Sequence, residues 1–214
     1  MTGIGFSNLK KGNRYLGMME AAPWGPFVVV LILLLTGCKT HYGQAATSAV
    51  PQPPATIFLV RHAEKLTNGE TGLSSAGSER AALLTQAFAS NGNRPDLPTP
   101  QVLFAAHVSA HSNRSLQTLL PLAKALHLPI DDNFKDKDYE DLAAALLSGK
   151  YAGKVVLVAW HRGKIPQLAT ALRATPPYDR WPEQQYDRIW RIDYVNGKAT
   201  LHDLPYALMP GDSK

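Results

Sequence analysis

The stretch 57-IFLVRH-62 decides the fold. Four apolar residues in a row, Ile57, Phe58, Leu59 and Val60, predict a strand buried on both faces, as strands of parallel sheets are. The run then stops at Arg61 and His62, with Glu64 close behind. Such a stop either marks the edge of solvent or delivers a cation and an imidazole into a binding site. A second stretch far along the chain, 155-VVLVAWH-161, ends the same way. Ligands of open α/β sheets bind beyond the carboxyl ends of the strands. If the two strands are neighbours, His62 and His161 share one crevice.

Working outward, strands and helices alternate. A helix opens at 73-LSS-75 and runs to about residue 90, with Ala81, Leu84 and Phe88 on one face. A polar, proline-rich loop, 91-NGNRPDLPTP-100, leads to a strand over 101–106. A helix over 113–126 carries Leu116, Leu119, Leu120, Ala123 and Leu126 at helical spacing, and Pro121 within it predicts a bend or a break. A short extended piece over 128–130, a helix over 139–147 ending near Gly149, and a strand over 154–159 follow. Pro166 suits the first turn of the next helix. Finally 188-RIWRIDY-194 and 198-KATLHDL-204 flank Asn196-Gly197, a hairpin signal. The expected fold class is α/β: three layers, α/β/α, with a mostly parallel central sheet and a C-terminal antiparallel hairpin.

Hydrophobic residues make up 45% of the 214 and charged residues 18%, the balance of a globular chain. The net charge of +5 includes Lys10, Lys11, Arg14 and Glu20, a net +2 within residues 1–37, which leaves +3 for the rest. With no Lys/Arg run, that mild bias carries no nucleic-acid footprint. It favours anionic substrates weakly.

The N-terminus reads as a targeting segment over residues 1–37. Basic residues precede the apolar run 27-FVVVLILLL-35, which matches a signal-peptide core and is too short for a spanning helix of about 20 residues. The next residues complete 35-LTGC-38, which resembles a bacterial lipobox. That resemblance implies a lipid on Cys38, anchorage to the bacterial envelope outside the cytoplasm and, with Lys39 next, outer-membrane sorting. A start at Met18 or Met19 would remove the basic region and keep the lipobox. No other cysteine is present to form a disulfide within the chain. Residues 38–55, including 44-QAATSAVPQPPA-55, form an expected flexible tether, and 56–214 the expected α/β domain.

The third chemical element is 109-SAHSNRSLQT-118. Arg114 falls in the first turn of a helix, near the carboxyl edge of the sheet. Helix-terminal N–H groups and two guanidinium forks, Arg61 and Arg114, make a pocket for a tetrahedral anion. Arg61-His62-Ala63-Glu64, Arg114 followed by Gln117-Thr118, and His161 at a strand end together resemble the histidine phosphatase superfamily, the phosphoglycerate mutase-like branch 1. The likeness spans residues 56–205. It implies that His62 attacks phosphorus and forms a phosphohistidine, while Arg61, Arg114 and His161 hold the phosphoryl oxygens. It implies no metal and no organic cofactor.

The proton donor is less plain. Some members of the superfamily carry an Asp after the second histidine, where this chain has Arg162, a further cation for the substrate rim. Others use a Glu in the segment that here reads 132-DNFKDKDYEDL-142; Asp136, Asp138 and Glu140 are candidates, with Glu140 slightly favoured. Glu64, inside the RH motif, reads as a structural partner. His107 and His111 read as loop polarity, and a zinc site is disfavoured because the arginines would repel a cation. Trp160, Trp181 and Trp190 read as core and rim packing. The expected activity is phosphomonoester hydrolysis on a phosphorylated small molecule or envelope component. A phosphomutase, or a lipoprotein that binds a phosphorylated ligand without turnover, is the alternative. Substrate identity and oligomeric state are not legible.

Overall fold

A strand that is apolar on both sides needs helices on both sides. The computed structural model, which describes residues 51–67, 69–88 and 94–213, shows that arrangement. In chain order the elements are β1 (Thr56–Arg61), α1 (Ser75–Phe88), β2 (Val102–Ala105), α2 (Arg114–Leu126), β3 (Ile130–Asp131), α3 (Tyr139–Leu147), β4 (Val155–Trp160), α4 (Ile165–Ala171), β5 (Arg188–Val195) and β6 (Lys198–Pro205). They form one six-stranded sheet in the order β3-β2-β4-β1-β5-β6. β1, β4, β2 and β3 run parallel, while β5 and β6 add an antiparallel hairpin on the β1 side. This is the expected α/β class.

β1 shows why its apolar run is unbroken. Alternate side chains of a strand face opposite ways. Ile57 and Leu59 enter the core covered by α3 and α4, with Trp160, Trp181 and Trp190. Phe58 and Val60 enter the core covered by α1 and α2, with Leu84, Phe88, Leu119 and Leu122. Both cores are closed at β1, where all four residues have no exposed surface.

Local chemistry sets the element ends. Ser74 Oγ accepts the Gly77 N–H at 3.1 Å and caps α1. Gly77 itself lies so close to the Glu64 carbonyl that any Cβ there would collide with it. The expected end of α1 near residue 90 lies outside the described residues. α2 does not break at Pro121 but runs through it as one helix. The apolar contacts of Leu119, Leu122 and Ala123 hold both sides of the proline against the sheet. β3 begins later than the 128–130 expected, because the Leu128 N–H closes α2 on the Ala123 carbonyl at 3.0 Å. In the hairpin, Asn196 and Gly197 both have positive φ, 51° and 76°, as a two-residue turn of this twist requires.

Residues 1–50, with the expected signal segment, Cys38 and most of the expected tether, lie outside the described residues. Within 51–55, the Pro53 carbonyl accepts the Gly153 N–H at 3.3 Å and the Ala55 N–H reaches the Lys154 carbonyl at 2.9 Å. No helix among the described residues is long and apolar enough to cross a membrane.

Candidate active site

β1 and β4 are hydrogen-bonded neighbours, with Arg61 opposite Trp160 in register. The His62 N–H continues the ladder onto the Trp160 carbonyl at 3.0 Å. Both strands therefore end on the same edge, side by side. The rings of His62 and His161 stand 5.3 Å apart, inclined at 69°. Two stretches distant in sequence thus deliver their imidazoles to one crevice.

His62 is 4% exposed. Its Nδ1 lies 2.7 Å from the Ala63 carbonyl oxygen. A carbonyl can only accept, so Nδ1 carries the hydrogen and Nε2 keeps its lone pair. Burial lowers the pKa of His62 to about 3, and the charges of His161, Arg61 and Arg114 push the same way. Burial likewise lowers His161 to about 4, helped by Arg114 and Arg61. Both imidazoles are neutral near pH 7, and each lies within the field of both arginines.

Arg61 is 2% exposed, and burial lowers its pKa to about 10. One terminal nitrogen, Nη1, donates to the carbonyls of Pro182, Glu183 and Gln185 at 3.3, 2.6 and 2.9 Å. Its guanidinium carbon lies 3.7 Å from the ring centroid of Tyr186. The fork is thereby clamped from behind and stacked on one face. Its Nε–H is buried and has no partner. Arg114, at the start of α2, repeats the theme: Nη1 donates to the carbonyls of Thr71 and His111 at 3.3 and 3.4 Å, while Nε is buried without a partner. Two desolvated cations each keep a donor in reserve. In a folded protein that calls for an explanation, and an anionic ligand supplies one.

The Gln117-Thr118 pair holds these parts together. Thr118 Oγ1 accepts the Ala63 N–H at 2.9 Å and donates to the Arg114 carbonyl at 2.8 Å, tying the loop after His62 to α2. Gln117 Oε1 accepts the Leu73 N–H at 2.9 Å. Glu64 is a structural partner: it pairs with Arg80 at 2.8 Å, and Arg80 pairs in turn with Asp212 at 2.9 Å. Arg80 is a buried cation held from both sides, and its pKa is raised by those carboxylates despite burial.

Of the candidate donors, Glu140 is exposed on the first turn of α3, with Tyr139 Oη 3.5 Å away. Asp138 accepts the Lys135 N–H at 3.3 Å. Asp136 instead lines a cavity of about 410 Å³ together with His161. One of its oxygens, Oδ1, is buried and unpartnered, and burial raises its pKa to about 6. The Trp160 Nε1–H holds its backbone carbonyl at 3.3 Å. Asp136, not Glu140, therefore stands at the site as a carboxyl able to hold a proton near neutrality. Arg162 turns to a different hollow, beside Gln167, Asp179 and Arg180, and pairs with Glu183 at 3.2 Å. Tyr186 was not legible from sequence: its ring lies 6.3 Å from that of His62, yet nothing in 183-EQQYD-187 marks it. His111 contributes its carbonyl to Arg114, and the His107 Nδ1–H donates to the Asp132 carbonyl at 2.7 Å.

No protein-family model matches the chain, and no curated protein sequence matches it. Solved structures do. One is a candidate alpha-ribazole-5′-P phosphatase from Escherichia coli, 17% identical, covering 72% of this chain and 98% of that one with a TM-score of 0.51. Others are a candidate phosphohistidine phosphatase SixA from Agrobacterium tumefaciens (20% identical, 70% and 97% covered, TM-score 0.43) and a phosphoglycerate mutase from Bacillus anthracis (15%, 72% and 94%, TM-score 0.47). The first superposition establishes a shared fold.

Proposed function

We propose that the chain is a phosphomonoester hydrolase working through a phosphohistidine on His62. One observation carries the reading: two guanidinium groups, each with a buried and unpartnered Nε–H donor, act on the same pair of neutral imidazoles. The phosphoryl group of a substrate satisfies both donors. Nε2 of His62 attacks phosphorus in line, and the P–O bond to the alcohol breaks. Asp136 gives its proton to the departing oxygen. Its carboxylate then takes a proton from the water that attacks phosphohistidine, releasing phosphate and restoring both groups. Arg61, Arg114 and His161 hold the equatorial oxygens, so preorganised charge supplies most of the acceleration.

A protein that only retains a phosphorylated ligand needs no acid, and Asp136 with its raised pKa favours turnover over retention. Hydrolysis is favoured over mutase transfer because no long insertion among the described residues caps the site and withholds water from the phosphohistidine. The lipobox supports a further part of the proposal, that the domain works outside the cytoplasm on a lipid attached to Cys38.

The test is turnover of p-nitrophenyl phosphate and of an alkyl phosphate by the wild type and by His62→Ala. Quenched wild-type enzyme should carry an acid-labile, base-stable phosphoryl group on His62, read by mass spectrometry. Phosphate binding without turnover in the wild type contradicts the proposal. Radioactive palmitate absent from Cys38 in expressing cells contradicts the anchor alone.

A further inference from the structure

The cavity that holds Asp136 says what kind of alcohol leaves. It is lined by His107, Val108, Ser109, Lys135, Asp136, Lys137 and His161. Because His161 belongs both to this cavity and to the phosphoryl site, the ester oxygen and whatever it carries lie between them. The two loops that wall the cavity are tied to each other. The His107 N–H donates to the Phe134 carbonyl at 2.8 Å, and the His107 Nδ1–H to that of Asp132 at 2.7 Å. With the Trp160 bond to Asp136, the wall is preformed rather than left to the ligand.

Its charge is one-sided. Lys135 and Lys137 are exposed at its rim, and neither ammonium forms an ion pair among the described residues. Asp136 is the one carboxylic acid in the lining, and burial favours its neutral form. Two nearby acids form no ion pair with either lysine among the described residues. Asp138 accepts the Lys135 backbone N–H, and Asp132 Oδ2 lies 4.0 Å from His107. The charge of Lys164 acts on the Asp136 carboxyl against the rise caused by burial. Two unpaired cations beside a single carboxyl, around about 410 Å³, fit a small anion better than a neutral or cationic group.

We propose that this cavity is a leaving-group subsite for an alcohol that carries its own anion, a carboxylate or a second phosphate, held by Lys135 and Lys137. The subsite deepens the phosphatase reading and rests on it for the name leaving group. Substrates of this class are small phosphomonoesters with negative charge at both ends. An uncharged alcohol gains only the apolar contact of Val108 and the polar contacts of Ser109 and His107.

The experiment separates the subsite from the chemistry. Calorimetric Kd values are measured on the full chain carrying His62→Ala, which retains substrate, for 3-phosphopropionate and for propyl phosphate. The two probes differ by a carboxylate against a methyl group. The expected result is about ten-fold tighter binding of 3-phosphopropionate, falling towards equality when Lys135→Gln and Lys137→Gln are added, and shrinking as salt rises. Equal affinities in the His62→Ala chain, or a preference that survives both lysine substitutions, overturn the subsite. Turnover of p-nitrophenyl phosphate by the wild type is read separately, so an inactive chain that still prefers the carboxylate-bearing probe sinks the phosphatase reading and leaves the anion subsite standing.

Discussion

The Nδ1–H of His62 is committed to the carbonyl of Ala63 at 2.7 Å, and Ala63 in turn gives its own N–H to Thr118. The imidazole cannot rotate or change tautomer without losing a buried hydrogen bond. Nε2 is therefore held as a lone pair, and burial keeps it so down to about pH 3. Nitrogen NMR of the ligand-free chain is expected to show the Nδ1–H tautomer of His62 throughout pH 5–8. A protonated Nε2 in that range contradicts the nucleophile assignment.

Asp136 and Glu140 give opposite outcomes. Asp136→Asn removes the proton donor and is expected to lower kcat on alkyl phosphates by about 10²–10⁴-fold. It should lower kcat on p-nitrophenyl phosphate far less, since nitrophenolate leaves without a proton. Glu140→Gln, on an exposed helix turn, should stay near wild type on both. With the Asp136 pKa at about 6, kcat/KM for alkyl phosphates should fall as pH rises through that value. Steady-state kinetics on the two substrates read all of this.

Arg61→Lys is not conservative here. One nitrogen of the guanidinium, Nη1, is occupied by the carbonyls of Pro182, Glu183 and Gln185, and the buried Nε–H is left over for ligand. A lysine has a single nitrogen for both tasks. A loss of about 10²–10³-fold in kcat/KM is expected. A Lys variant within a few-fold of wild type shows that Arg61 does not hold the phosphoryl group.

The same groups shape stability against pH. His62 and His161 have folded pKa values of about 3 and about 4, below the ordinary 6.5. Their unfolded forms bind protons first, so stability present above pH 6.5 is lost as pH falls through the folded values. Asp136 has the opposite sign: raised from 3.8 to about 6, it favours the folded state below 3.8 and loses that contribution as pH rises through 6. Asp136→Asn should therefore stabilise the chain at pH 7 by about 1 kcal/mol, a figure reduced for its partial solvent access, while it removes activity. Thermal unfolding at pH 4, 5, 6 and 7 tests both signs. A lower Tm for the variant at pH 7 contradicts the second.

Arg80 sits between Glu64 and Asp212 with little exposed surface. Asp212→Asn leaves that cation with one carboxylate and weakens the brace behind the RH motif. A loss of about 1–3 kcal/mol is expected in urea unfolding. The phosphate affinity of the folded fraction should change little, because Asp212 acts on the RH motif through Arg80 and Glu64. An unaltered midpoint indicates that Glu64 alone suffices for Arg80.

The strands, the two histidines and the position of Arg114 were legible because each is written in consecutive residues: an apolar run that stops, or a polar turn before a helical pattern. β5 carries the same kind of signal through Asn196-Gly197. Asp136 was one acid among several, because only the path of its loop, set by the His107 and Trp160 bonds, chooses which carboxyl faces the cavity. Tyr186 was missed for a related reason. The carbonyls of 182–185 that position Arg61 are backbone atoms, and backbone atoms leave no mark in a sequence.

β1 lies inside the sheet, between β4 and β5, although it is the earliest strand of the domain to be made. On the ribosome it therefore waits, sticky along both edges, until the second half of the polypeptide has emerged to flank it. Such a topology folds late and all at once rather than piecewise. It keeps His62 and His161 from being brought together before β4 and β5 have been made.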